Sequence, residues 1–329
     1  MHRTRLASLS AVFVLVSAGT AHATFPGKDG RLTYNRFDDA TKTASIFSAR
    51  PHGPDERQLT HFAKGTAAQF TDWSPDGRLI AFDSDQAGAG PVTYVMRADG
   101  SHVRQLTDTA FSADPAWSPS GKRIAIEADW GDYPASEGIY TFRFRKSGLI
   151  GQNDAVRVTT AAPDAEFDSE PQYSPDGKWI AFTRFKSAEQ SAIFRVRPDG
   201  SHLRQLTEFA ENGSAPDWSP NGKWIAYDTH DVAIAPNAGN IVLIHPDGSG
   251  HRVLIAGTDD NFNQNPVFSP SGKFIAWALF KTAAGGQPPD IYTARVDGKH
   301  RRKLGVAGNT NKPDWGSRPH KHRHDHHEH

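Results

Sequence analysis

The chain has 329 residues, 37 basic against 37 acidic side chains, 16 histidines and no cysteine. This balance excludes the overall cationic excess that draws proteins to nucleic acid or to anionic membranes. The absence of cysteine excludes disulfides, a lipid-bearing N-terminal cysteine and a thiol nucleophile.

In chain order, the first element does not belong to the fold. "MHRTRLASLSAVFVLVSAGTAHA" has Arg3 and Arg5, then an apolar run, then Ala21-His22-Ala23 before Thr24. That is the layout of a secretory signal peptide, residues 1–23, cleaved after Ala23. Its apolar run is too short for a membrane anchor. The expected product is a soluble protein, periplasmic or extracellular, without membrane insertion and monomeric. Loss of Arg3 and Arg5 leaves it a formal charge of −2.

One phrase then returns along the chain: "WSPDGRLIAF" at 73, "WSPSGKRIAI" at 117, "YSPDGKWIAF" at 173, "WSPNGKWIAY" at 218 and "FSPSGKFIAW" at 268. Ser-Pro-x-Gly sets a tight turn, with Pro at φ near −65° and Gly where the backbone turns left-handed. The run after each Gly is apolar on both faces, which predicts a strand covered on both sides. An aromatic residue precedes each turn. Each unit continues with a β-rich run such as "QSAIFRVRPD", a turn such as Asp199-Gly200, and a last strand such as "LRQLT" at 203. The unit is four strands, named A to D here. The turn glycines Gly77, Gly121, Gly177, Gly222 and Gly272 lie 44, 56, 45 and 50 residues apart. A lone four-stranded sheet cannot bury two apolar faces, whereas sheets stacked radially around an axis can.

The first unit, "GKDGRLTYNRF", starts at the A–B turn and lacks an A strand. "KPDWG", Lys312 to Gly316, matches "APDWS" at 215 and supplies it from the other end of the chain. The expectation is an all-β, six-bladed propeller of four-stranded blades over residues 24–318, closed without a free inner edge. A His-rich tail, residues 319–329, is too polar to fold.

The pattern P-x-W-S-P-D-G-K-x-I-A-F, followed by D-G-S and R-Q-L-T, resembles the TolB-type six-bladed propeller repeat. It covers about residues 25 to 316. The resemblance implies a binding scaffold. In TolB a small α/β domain precedes the propeller, and the propeller binds a peptidoglycan-associated lipoprotein. No such domain precedes the repeats in this sequence, so a TolB-like propeller is what carries over. The same repeat occurs in prolyl-oligopeptidase-like enzymes.

The repeat alignment also sorts the two faces. The A–B and most C–D turns are tight, and only the third unit stretches its C–D turn, as "KSGLIGQND". The B–C and D–A loops are long and irregular, and long loops on a rigid scaffold carry specificity. Acids such as Asp114, Asp129, Asp132, Asp168, Glu170 and Asp260 fall on the loop face. Lysines, arginines and His102, His202, His251 and His300 fall on the turn face. The residues before the prolines of strand A are expected to ring the axial mouth: Phe70, Asp114, Glu170, Ala215, Asn265 and Lys312. Ser112, Asp168 and Asn263 stand two places earlier. Asp168 and Glu170 are expected to point the same way. Asp114, Asp168, Glu170, Asn263, Asn265 and Lys312 are the candidate ligand-binding set, able to grip a small polar ligand or Ca²⁺.

No G-x-S-x-G elbow, H-E-x-x-H pair or phosphate loop is present. "DSDQAG" at 83 reads as a plain B–C turn, since Tyr94 stands where a calcium loop needs glutamate. In the tail, His320, His322, His324, His326, His327 and His329 are candidate ligands for Zn²⁺, Ni²⁺ or Cu²⁺. The functional expectation is a non-catalytic module that binds a protein or a cell-envelope component. The alternative is a lactonase- or lyase-type propeller enzyme with a divalent metal at the mouth.

Overall fold

The structure is a computed structural model. It describes residues 25–51, 53–88, 90–132, 135–160, 165–187, 189–230, 239–281, 288–306 and 308–319. The expected signal peptide and the six tail histidines lie outside the described residues.

The described strands form six four-stranded antiparallel sheets, each with its strands in A-B-C-D order. Blade 1 takes strand A from the C-terminus (Thr310–Ser317) and strand B from the N-terminus (Asp29–Asp38). Leu32 faces Trp315 and Thr33 faces Asp314 across that junction. Strands A of blades 2 to 6 are Ala68–Trp73, Phe111–Trp117, Phe167–Tyr173, Gly213–Trp218 and Asn261–Phe268. The expected fold and its closing strand are both present.

The A–B turns are built as the sequence dictates. In blades 2 to 6 the glycine N–H donates to the serine carbonyl three residues back at 2.8 Å. The serine Oγ accepts the N–H five residues on, at 2.9 to 3.1 Å. Gly222, at φ +67°, also rests on Pro175 of the preceding blade, where a Cβ would come within 3.3 Å. The left-handed angle favours glycine here, and a Cβ would in addition crowd Pro175.

The buried apolar side chains fall into six clusters, one at each blade interface. The aromatic before each A–B turn is the recurrent member, as with Trp117, Tyr173, Trp218 and Trp315. Burying such a side chain contributes about 2–3 kcal/mol, so the ring owes its stability to interfaces between blades rather than to any single sheet.

Two features were not legible in the repeats. The stretched C–D turn of blade 3 stitches that blade to blade 2: the Ile150 N–H donates to the Leu106 carbonyl at 2.8 Å and the Ile150 carbonyl accepts from Asp108 N–H at 2.9 Å. The first described residues also make a second closure. Gly27 N–H donates to the Pro270 carbonyl, and the Asp29 carboxylate accepts from the Ser271 N–H and Oγ. Phe25 is buried on the axis among Trp73, Trp117, Tyr173 and Trp315. Among the described residues, no helix is long and apolar enough to cross a membrane.

The axial mouth as candidate binding site

Each strand A has an irregular register against its strand B, a one-residue bulge in the inner edge of the blade. The bulged residue is left-handed in all six blades: Phe70 at φ +51°, Asp114 at +49°, Glu170 at +56°, Ala215 at +51°, Asn265 at +53° and Lys312 at +51°. A non-glycine residue pays about 1–2 kcal/mol for this conformation. In five blades proline follows, and its missing N–H suits a place where the ladder is already broken. The six residues line one cavity of about 90 Å³ at the axis. That is room for a few waters, a small ion or the tip of one side chain.

Acids buried around this cavity fasten one blade to the next. Glu170 Oε2 accepts the Ala215 N–H at 2.7 Å, and Asp228 Oδ2 accepts the Asn265 N–H at 2.7 Å. Asp83 takes the Asp114 N–H, and Asp114 takes the Glu170 N–H. One layer deeper, Asp314 accepts from Trp73 N–H at 2.8 Å, Asp72 from Trp117 N–H at 2.6 Å, and Asp217 from Phe268 N–H at 2.7 Å. Hydroxyls add to the set: Thr183 Oγ1 donates to Glu170 at 2.7 Å, while Ser169 Oγ bridges the carboxyl groups of Asp114 and Glu127.

Burial disfavours charge on these acids. It holds Asp72, Asp83 and Glu127 well above the usual carboxylate range and lifts Asp114 to about 6, Asp314 to about 7 and Asp228 to about 8. Neighbouring acids push Asp72, Asp83, Asp114 and Glu127 further the same way. Lys312 supplies the counter-charge. Burial lowers its pKa, and Asp114, Asp83, Glu170 and Glu127 oppose that shift. Its ammonium also lies over the Phe70 ring.

Of the sequence-derived set, the structure brings Asp114, Glu170, Asn265 and Lys312 to the cavity and leaves Asp168 and Asn263 outside it. The left-handed bulge is the reason. It breaks the alternation that would put residues 168 and 170 on one side. Asp168 is fully buried and takes both forks of Arg184 at 2.6 and 2.7 Å, while its N–H donates to Glu137. Burial raises Glu137 to about 7. Asn263 is held by the Gly239 carbonyl at 3.0 Å and by Trp277 Nε1–H at 2.7 Å. Ser112 is likewise buried, bonded to Thr93 and Thr107. Missed from the sequence were Glu127 and Asp228 of strand B, and Asp83, expected in the B–C turn, is instead a buried residue of strand B (Leu79–Ser84). The available signal was a single acid inside an apolar run, as in "IAFDS", "IAIEA" and "IAYDT". Among the described residues, no group of three or more His, Asp or Glu side chains is arranged to hold a metal ion.

A family model for the TolB beta propeller domain matches residues 112–318. The chain belongs to the TolB β-propeller family. Its fold resembles the crystal structure of TolB from Acinetobacter baumannii, with a TM-score of 0.70 at 20% identity, over 89% of this chain and 68% of that one. An uncharacterized peptidase of Bacillus subtilis, YuxL, is 29% identical over 136 residues, 34% of this chain and 21% of its own length. The uncharacterized protein Atu1656 of Agrobacterium fabrum is 26% identical over 219 residues, 63% of this chain and 68% of its own length. This TolB-like chain therefore spans about a fifth of the peptidase relative's length.

Proposed function

We propose that this TolB-like propeller is an exported, non-catalytic binding module whose partner is a cell-envelope protein seated on the mouth face. The observation that carries the reading is the use of the mouth acids. Glu170, Asp228, Asp114 and Asp83 each accept a backbone N–H of the next blade, so they serve as fasteners of a rigid rim. Committed acids are poorly suited to shuttle protons. A rigid rim carrying irregular loops suits recognition, because little ordering cost is left to pay on binding. The small cavity admits the tip of one partner side chain rather than a whole substrate. A divalent metal at the mouth is disfavoured by Lys312, whose ammonium already stands among the same acids.

The test is capture of partners from the producing cell's envelope fraction by immobilised protein. Charge reversal at two exposed loop acids of the mouth face, Asp132→Lys with Asp260→Lys, is expected to abolish capture of the specific protein. Reversal at Lys223 on the opposite face is expected to leave it intact. Equal capture by all three proteins would refute the reading, and so would turnover of a glycan or lactone by the wild type.

A further inference from the structure

The opposite face carries a groove that the mouth reading does not use. It runs over the A–B turns of blades 4 to 6, holds about 650 Å³, and is lined by Trp179, Trp218, Pro175, Pro220, Pro246 and Pro270. That volume lies within the range of small-ligand sites. Trp179 is half-buried and held by Arg195, whose guanidinium lies 4.2 Å from the ring centroid, with Arg197 at 5.5 Å. On the next blade Trp224 is stacked by His245 at 4.0 Å, with Arg252 at 5.1 Å. Lys178, Lys223 and Lys273 are exposed in the same turns that line the groove. Against these cations the lining offers one acid, Asp176, which is engaged with Ser174, the Lys178 backbone and Lys178 Nζ.

With Asp199 and Asp247 also exposed in the flanking turns, beside Arg197 and Arg195, the rim still carries more cations than acids, and the floor is apolar rings. An acidic peptide fits this poorly. An extended peptide presents an N–H and a carbonyl at each residue, the proline rings donate nothing to the carbonyls, and the polar groups of the lining are engaged already, Ser174 with Asp176, Asn221 with Ser219 and the Lys223 N–H, and Ser271 with Asp29. A sugar chain has no backbone amides to leave unpaired. Its flat apolar ring faces can lie on Trp179 and Pro246, which are partly exposed, its hydroxyls can stay in water, and its carboxylates can meet the lysines and arginines.

We infer that the turn face is a second binding surface, for an anionic, uronate-containing polysaccharide laid along the groove of blades 4 to 6. It is independent of what the mouth binds. Calorimetric titration of an alginate hexamer into the full mature chain at low salt tests it. Binding is expected, with weakening as salt screens the rim. The double variant Arg197→Glu with Lys223→Glu should weaken it by about tenfold or more. Both side chains are exposed, and an unchanged thermal melt confirms that the variant folds. The mouth variant Asp260→Lys should bind as the wild type does. A neutral dextran oligomer of equal length, hexaglutamate and anionic phospholipid vesicles are the comparators. The inference is overturned if the alginate hexamer does not bind, if the double variant keeps its affinity, or if hexaglutamate or vesicles bind as tightly as the hexamer.

Discussion

At the mouth, buried acids outnumber the lysine among them and most are bonded to a neighbouring blade. On the turn face, lysines and arginines stand in water above tryptophans and prolines. Each kind of charge stands where its burial cost allows. A buried acid is costly unless it is hydrogen-bonded, so at the axis acids are kept where they join blades. An exposed lysine costs little and contributes little to stability, so on the turn face cations remain available for a partner.

Removing strand A of blade 1 should have the largest effect. A chain ending at Gly308 loses Lys312, Asp314 and Trp315 together and reopens the ring. Loss of the buried Trp315 alone costs about 3–5 kcal/mol. Cooperative thermal unfolding is expected to vanish, whereas a chain ending at Pro319 should melt like the full-length protein. Next in size is the buried pair beside the mouth. Asp168→Ala leaves Arg184 charged and 5% exposed, and should lower stability by about 3–5 kcal/mol in denaturant titration. Charge reversal of Lys223 on the turn face should cost less than about 0.5 kcal/mol in the same assay.

A third test sharpens the contrast through pH. Asp114 at about 6, Asp314 at about 7 and Asp228 at about 8 all exceed the unfolded value near 3.9. Between those limits the folded chain holds protons that the unfolded chain has lost. Stability is thus greater at low pH within this window and falls as pH rises through the folded values, by about 1.4 kcal/mol per pH unit for each retained proton. The melting temperature should be several degrees higher at pH 5.5 than at pH 8. Asp228→Asn should flatten that slope. The smallest effect concerns the mouth cation. Neither the wild type nor Lys312→Met should give heat with Ca²⁺, because the mouth acids are committed to backbone N–H groups and loss of the lysine pushes Asp83 and Asp114 further toward the neutral form.

Much of this fold is written in the repeats. The Ser-Pro-x-Gly turns fix strands A and B, and "KPDWG" announces the closing strand. The ring of pre-proline residues could also be placed on the axis by alignment. Alternation fails at Asp168 and Asn263, since the local sign of the bulge, the proline that follows it, does not reveal that the residue before it turns left-handed. The strand-B acids were hidden because an acid in an apolar run gives no hint of its partner, and that partner is a backbone N–H on another blade. Phe25 on the axis was invisible for the same reason: its neighbours come from blades far along the chain.

On the proposed reading the mouth face, and not the turn face, engages a protein. Photo-crosslinking side chains placed at Asp132 and Asp260 on one face and at Lys223 and Lys299 on the other, in the producing cell, test it most directly. The account predicts one envelope protein crosslinked from the mouth positions and no protein from the turn positions. The same protein captured from both faces, or from the turn face alone, would contradict it.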